Sequence, residues 1–205
     1  MTAPDRIPQP AARRKRTTER RSEIVRAAAR IFADQGYAQV GMRDIADAIG
    51  IRGASLYHHF RSKEEILYAI CLTVTREPVE ENLPLLDAAG TPAERLAELV
   101  RAHVRHLLRR RTEYLVGLHE RAALTPEHRA EIDAHVRLYH RRVRDVLAAG
   151  MRGGELRETD PTLAALGLLD MLNGVSGWIR GDSDADAEAV VAAHTALLFD
   201  GLRAR

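Results

Sequence analysis

Apolar residues recur at intervals of three and four along almost the whole chain, which is the spacing of one face of an α-helix. Ile24, Val25, Ala28, Ile31 and Phe32 form a first stripe, with Thr17 or Thr18 placed to cap its start and Gly36 to end it. Met42, Ile45, Ala46 and Ile49 form a short second stripe that stops at Gly50, and Leu56 and Phe60 lie one turn apart on a third. Ser62 with Glu65 reads as a capping box, and Ile66, Leu67 and Ile70 follow it. Two very short helices joined by a Gly-containing turn are the signature of a helix-turn-helix.

The same period continues beyond. Leu96, Leu99, Val100, His103, Val104, Leu107 and Leu108 form one stripe, and Ile132, Val136, Tyr139, Val143, Val146 and Leu147 another. Residues 161–180 and 185–203 predict two more helices, both apolar on more than one face. Pro92, Pro126 and Pro161 fall where first helical turns are expected, and "GMRGGEL" (150–156) reads as a helix end and turn. No strand alternation and no internal repeat is visible. The prediction is an all-α chain of about nine helices: a basic arm over 1–17, a helix-turn-helix domain over 18–66 of the kind that reads DNA, and a helical bundle over 67–205. One helix over 62–86, bent near Pro78, bridges the last two.

Charge sharpens this picture. Residues 1–66 hold 13 Lys/Arg against 8 Asp/Glu, a balance of +5, while the rest of the chain stands at −3. The run Arg13-Arg14-Lys15-Arg16 lies among Pro and Ala and reads as a disordered arm, either tracking phosphates or merely solvated. A basic first third on a mildly acidic body points to a polyanion as partner, with ordinary surface charge as the bland alternative. The single Cys71 and the lack of an 18-residue apolar run or a secretory signal predict a cytoplasmic protein without membrane association.

The stretch "GASLYHHF" (53–60) carries the expected chemistry. Leu56 and Phe60 face a core. Gly53 and Ala54 are small enough for close approach to a duplex, and Ser55, Tyr57 and His58 present donors to phosphates or base edges. Lys63, in the first turn of the next helix, adds a cation beside free backbone N–H groups. Arg43 and Arg52 flank this surface. His58 and His59 are adjacent and so point about 100° apart on a helix, which suits no shared metal ion. His59 is better placed to pack at the domain edge.

Residues 20–67 closely resemble the DNA-binding domain of the tetracycline-repressor (TetR) family: the Gly36-Tyr37 turn, "RDIADAIGI", "SLYHHF" and "SKEEIL" fall in family order without a gap. The resemblance implies a two-domain, all-α homodimer on a palindromic operator, released by a small molecule in the larger domain. It assigns phosphate contacts to Tyr57 and Lys63, and base or backbone reading to Arg43, Arg52, Gly53, Ala54, Ser55 and His58. Gly41 departs from the pattern, standing where Ser or Thr is usual. The stretches around 132–156 and 160–178 resemble a branch linked to lipid, steroid and acyl-CoA catabolism, which implies a small hydrophobic or acyl-CoA-like effector.

Leu99, His103, Leu107, Tyr114, Leu115, Leu118, His119, Tyr139, Met171, Val175 and Trp178 are candidate walls of an effector pocket, though each also serves as plain core. The run "RHLLRRR" (105–111) and Arg141-Arg142 can hold an anionic head group at its mouth, or be solvated helix ends. Ala164, Leu168, Leu172, Ala192, Ala193 and Leu197 are candidates for the dimer interface. No Gly-rich phosphate loop, nucleophile elbow or metal-ligand cluster is present, so neither an enzyme nor a cofactor or metal site is expected. A helical enzyme acting on an acyl compound, using His103, Glu120 and Asp133, is the competing class. A regulator answering to a protein partner is a third.

Overall fold

The computed structural model describes residues 10–179 and 183–202. Nine α-helices run through them: α1 (Pro10–Gln35), α2 (Met42–Ala48), α3 (Gly53–His59), α4 (Lys63–Glu81), α5 (Pro92–Arg109), α6 (Arg111–His119), α7 (Pro126–Arg152), α8 (Pro161–Trp178) and α9 (Asp184–Leu202). No described helix is long and apolar enough to cross a membrane.

Caps explain most of the boundaries. Thr91 accepts from the Glu94 N–H while its own N–H donates to Glu94, a reciprocal capping box at the start of α5. Thr125 accepts from the His128 N–H, and Asp160 from those of Thr162 and Leu163. Pro92, Pro126 and Pro161 each follow such a cap at the first helical position, as the sequence predicts. Ser62 accepts from the Glu65 N–H, and the Glu65 carboxylate accepts from Arg61 N–H, one residue earlier than a capping box places it.

Two boundaries differ from expectation. α1 does not start at Thr17 or Thr18 but at Pro10, so the Arg13–Arg16 run is helical. Ala, Arg and Lys are strong helix formers, and the helix of the first stripe propagates back through them. Residues 1–9 of the expected arm lie outside the described residues. α4 continues through the buried Pro78 but ends at Glu81, not 86, and Leu83–Asp87 tighten into a 3-10 turn.

The apolar side chains gather into two clusters. The first packs Ile24, Ala28, Phe32, Ile45, Leu56, Phe60, Ile66 and Ile70 around the short helices. Val116 of α6, Leu124 and Ile132 of α7 belong to this cluster too. The second fills the body between α5, α7, α8 and α9, with Leu99, Leu107, Val143, Leu147, Leu169 and Leu172 at its centre.

Candidate functional site

The turn between α2 and α3 is fixed by Gly50 at φ +65°, a left-handed conformation that glycine adopts without strain. Gly50 N–H donates to Asp47 O and Ile51 N–H to Ala46 O, closing the end of α2 as a Schellman motif. Ile45, Leu56 and Phe60 are fully buried, so the two helices turn their apolar sides inward together. What remains outside is the expected reading surface. Arg43, Arg52, Gly53, Ala54, Tyr57 and His58 are exposed, and Ser55 is half-buried. Arg43 pairs with Asp47, at 3.8 Å on an open surface. At the start of α2, the Asp44 carboxylate accepts from the Gly41 N–H at 2.7 Å, so half of a capping arrangement survives without a side chain at residue 41.

Arg21 of α1 holds the far end of α3. Its guanidinium donates to the His59 carbonyl at 2.6 Å and lies 3.9 Å from the centre of the Phe60 ring. His59 is half-buried at this edge, and burial, followed by the charges of Arg20 and Arg21, lowers its pKa. Lys63 is less free than expected. Its ammonium donates to Tyr37 O at 2.7 Å and sits 4.3 Å above the Tyr37 ring. It ties the loop after α1 to the start of α4, with two N–H donors left for another partner.

The body grips the same region from the other side. Glu64 of α4 accepts from the Thr125 N–H at 2.9 Å and from His128 Nδ1 at 2.8 Å, and His128 stacks on Tyr68 with ring centres 3.8 Å apart.

Inside the body, polar side chains form two hydrogen-bonded chains. In the first, Asn82 Nδ2 donates to the Tyr139 hydroxyl, and that hydroxyl faces His103 Nδ1 at 3.3 Å. His103 Nε2 faces Asn173 Oδ1 at 3.3 Å. Since Asn173 Oδ1 only accepts, the proton of the neutral ring sits on Nε2, and Nδ1 accepts from Tyr139. Burial, reinforced by His106 and partly opposed by Asn173, pushes the His103 pKa down to about 4, so the ring is neutral near pH 7. In the second chain, the Tyr114 hydroxyl faces His106 Nδ1 at 3.2 Å, and His106 Nε2 faces Glu77 Oε2 at 3.2 Å. Arg110 donates to the same carboxylate at 3.4 Å. Burial alone would raise the Glu77 pKa, but His106 and Arg110 together hold it below the ordinary value.

The expected pocket walls separate into two groups. Leu99, His103, Leu107, Tyr114, Tyr139 and Val175 are buried together in the body, with Leu115 and Met171 half-buried. Leu118, His119 and Trp178 are exposed and form no part of a buried wall. Trp178 instead lies exposed over the buried His194, with ring centres 6.1 Å apart. Grooves that open elsewhere among the described residues include one of about 520 Å³ between α5 and α9 and one of about 380 Å³ between α1, α4 and α6. Much of the arginine run is already paired: Arg105 with Glu188, Arg110 with Glu77, and Arg111 with the Ser176 carbonyl; Arg142 meets Asp87.

The interface candidates also divide. Leu168 and Leu172 point into the core and are corrected to structural roles. Ala164 is half-buried, while Ala192, Ala193 and Leu197 are exposed. Leu163, Leu166 and Trp178 join them as outward apolar side chains that the sequence reading did not select for this surface. It did not select Glu77, Asn82 and Asn173, and it included His106 only as part of the 105–111 run; the available signal was His106 one turn after His103 on a helix with an apolar face.

Known proteins agree with this architecture. Residues 24–70 match the family described as bacterial regulatory proteins, tetR family, and residues 89–202 match the tetracyclin repressor-like C-terminal domain. The HTH-type transcriptional repressor KstR2 of Mycolicibacterium smegmatis is 28% identical over 98% of this chain and 95% of its own. The crystal structure of AibR in complex with isovaleryl coenzyme A and operator DNA is 31% identical, with TM-score 0.77, over 88% of this chain and 98% of that one. The ketosteroid transcriptional regulator KstR2 of Mycobacterium tuberculosis superposes with TM-score 0.83 at 26% identity, over 91% of this chain and 96% of that one. The helix-turn-helix and the helical body are thus matched by separate domain families of one lineage, and the chain belongs to the tetR family of regulatory proteins.

Proposed function

We propose that this protein is an effector-responsive transcriptional repressor that binds a palindromic operator as a homodimer. The observation that carries the reading is the outward face of α2 and α3: Arg43, Arg52, Gly53, Ala54, Tyr57 and His58 stand clear of the core formed by Ile45, Leu56 and Phe60, with Ser55 half-buried among them. A seven-residue α3 fits the major groove, with Tyr57, Lys63 and the start of α4 on the phosphates beside it. Residues 18–66 do the reading, and residues 67–205 serve effector binding and dimerisation. Two copies meet through the exposed apolar residues Leu163, Leu166, Ala193 and Leu197, with the half-buried Ala164 beside them.

The effector is a small hydrophobic acid or its CoA thioester. Support comes from AibR, whose structure holds isovaleryl coenzyme A, and from the ketosteroid regulator KstR2. It binds within the helical body, where two hydrogen-bonded chains, Asn82–Tyr139–His103–Asn173 and Tyr114–His106–Glu77, interrupt an apolar core with polar groups. By binding one arrangement of the two reading heads better than the other, it shifts the dimer away from the operator spacing.

Anisotropy of labelled DNA from upstream of the protein's own gene tests this reading. Tight, salt-dependent binding is expected, weakened in Arg52→Ala and Tyr57→Phe, and reversed by one acyl-CoA or steroid acid from a panel. Binding unaffected by both substitutions would remove α3 as the reader. Release by none of the panel would favour a filled body that answers to a protein partner.

A further inference from the structure

Glu77 lies on α4, the helix that leads from the reading domain into the body. Its carboxylate rests against His106 Nε2 and Arg110 Nη2, both carried by α5 or its C-terminal cap. His106 is almost wholly buried, and Tyr114 of α6 orients it through Nδ1, so its Nε2–H is aimed at the carboxylate. The body thus supplies a preformed cradle for an anion, and α4 supplies the anion. Glu77 and Arg110 are partly buried and His106 almost wholly so, and desolvation offsets part of the attraction in such a cluster, which makes it a poor device for stability alone. It is well suited to a contact that must be exchanged.

The groove between α1, α4 and α6 leads to this place. Glu77, Arg110 and Glu113 line it together with Arg76 and Glu80, and Val25, Ala69 and Leu72 give it an apolar wall. Glu113 is itself buried, 3.9 Å from Arg110, so the guanidinium faces two carboxylates.

We propose that His106 and Arg110 form an anion-binding site which Glu77 occupies in the absence of ligand, and that a carboxylate- or phosphate-bearing effector entering through the α1–α4 groove displaces Glu77 and so releases α4 from the body. This rests on the effector-responsive reading above and names the chemistry of the effector's polar end. Locally one anion replaces another. Net affinity comes from the ligand's apolar part against Val25, Ala69 and Leu72, and the change in α4 follows because its less exposed polar tether to α5 is lost, leaving the surface pair Arg109–Glu81.

The test uses the full-length dimer and three eight-carbon probes: octanoate, octyl phosphate and octanol. Glu77→Gln keeps the shape and removes the competing charge. Calorimetry should show it binding octanoate or octyl phosphate about tenfold or more tightly than wild type, the scale of one charge-assisted hydrogen bond. Octanol binding should be unchanged, and operator affinity without ligand should fall. Which anion gains more assigns carboxylate or phosphate. Arg110→Gln is the second variant, and it should lose anion binding whether or not Glu77→Gln folds well. No gain for either anion in a folded Glu77→Gln protein, an equal gain for octanol, or undiminished anion binding in Arg110→Gln overturns the proposal. Failure of wild type to bind operator at all would instead count against the repressor reading.

Discussion

Replacing Arg21 by Ala removes a side chain of α1 that holds the end of the reading helix. α3 has seven residues, two turns, and a helix that short depends on tertiary contacts. Arg21 supplies a charge-assisted hydrogen bond to the His59 carbonyl, where a cation also suits the helix dipole, and covers the buried Phe60 ring. The hydrogen bond is worth ~1.5–3 kcal/mol in general and a cation–ring contact at an exposed site ~0.5–1 kcal/mol. Arg21 is exposed, which screens the first figure, so the expected loss of stability is about 2 kcal/mol. Urea unfolding followed by circular dichroism measures it, with Arg21→Lys recovering part, because an ammonium keeps the charge but not the planar stacking. Operator affinity should fall about tenfold, since loosening α3 by ~1.4 kcal/mol of positional freedom costs that factor in binding. The dependence of log Kd on log salt should stay parallel to wild type, because Arg21 is engaged with protein and releases no counterion from DNA. A slope shallower by about one unit, with stability unchanged, would show that Arg21 is a phosphate contact and refute the positioning argument.

Gly41→Ser should strengthen operator binding and raise stability by a few tenths of a kcal/mol, as a serine cap replaces a glycine one. The added Cβ meets only the Asp44 carboxylate at 3.4 Å, and thermal melts with operator titration check the outcome. His103 titrates near 6.5 when unfolded and about 4 when folded, so the unfolded chain binds the extra proton between those values. Stability should therefore fall as pH drops from about 6.5 to about 4, by up to ~3 kcal/mol, and His103→Gln should flatten that part of the curve in pH-dependent urea melts. Leu197→Glu, at a site 68% exposed in one subunit, should leave the fold intact yet give a monomer in light scattering; an unchanged dimer would move the interface elsewhere.

The helix-turn-helix was legible because its signals are local. Period, caps and Gly50 all lie within a few residues of what they determine. The pairing of Lys63 with Tyr37 was not, since it joins positions 26 residues apart whose proximity depends on how α1 meets α4. α8 hid its orientation for a different reason. It is apolar almost all round, so periodicity offered no way to separate Leu168 and Leu172, which are buried, from Leu163 and Leu166, which are not. Glu77 sits in the charged run "TREPVEE", where no local pattern separates it from its solvated neighbours. Only the fold brings it beside an imidazole from the next long helix.

Val116, Leu124 and Ile132 come from the body yet complete the core beneath the reading helices. For protein engineering this means that the DNA-reading head is no detachable module. A chimera cut after α4 leaves an open apolar floor under Phe32 and Ile66, and a head grafted from a relative must meet whatever α6 and α7 present. Exchanging operator specificity between such regulators therefore calls for transplanting those three floor positions along with the head, so that the seam runs through solvent rather than through a shared core.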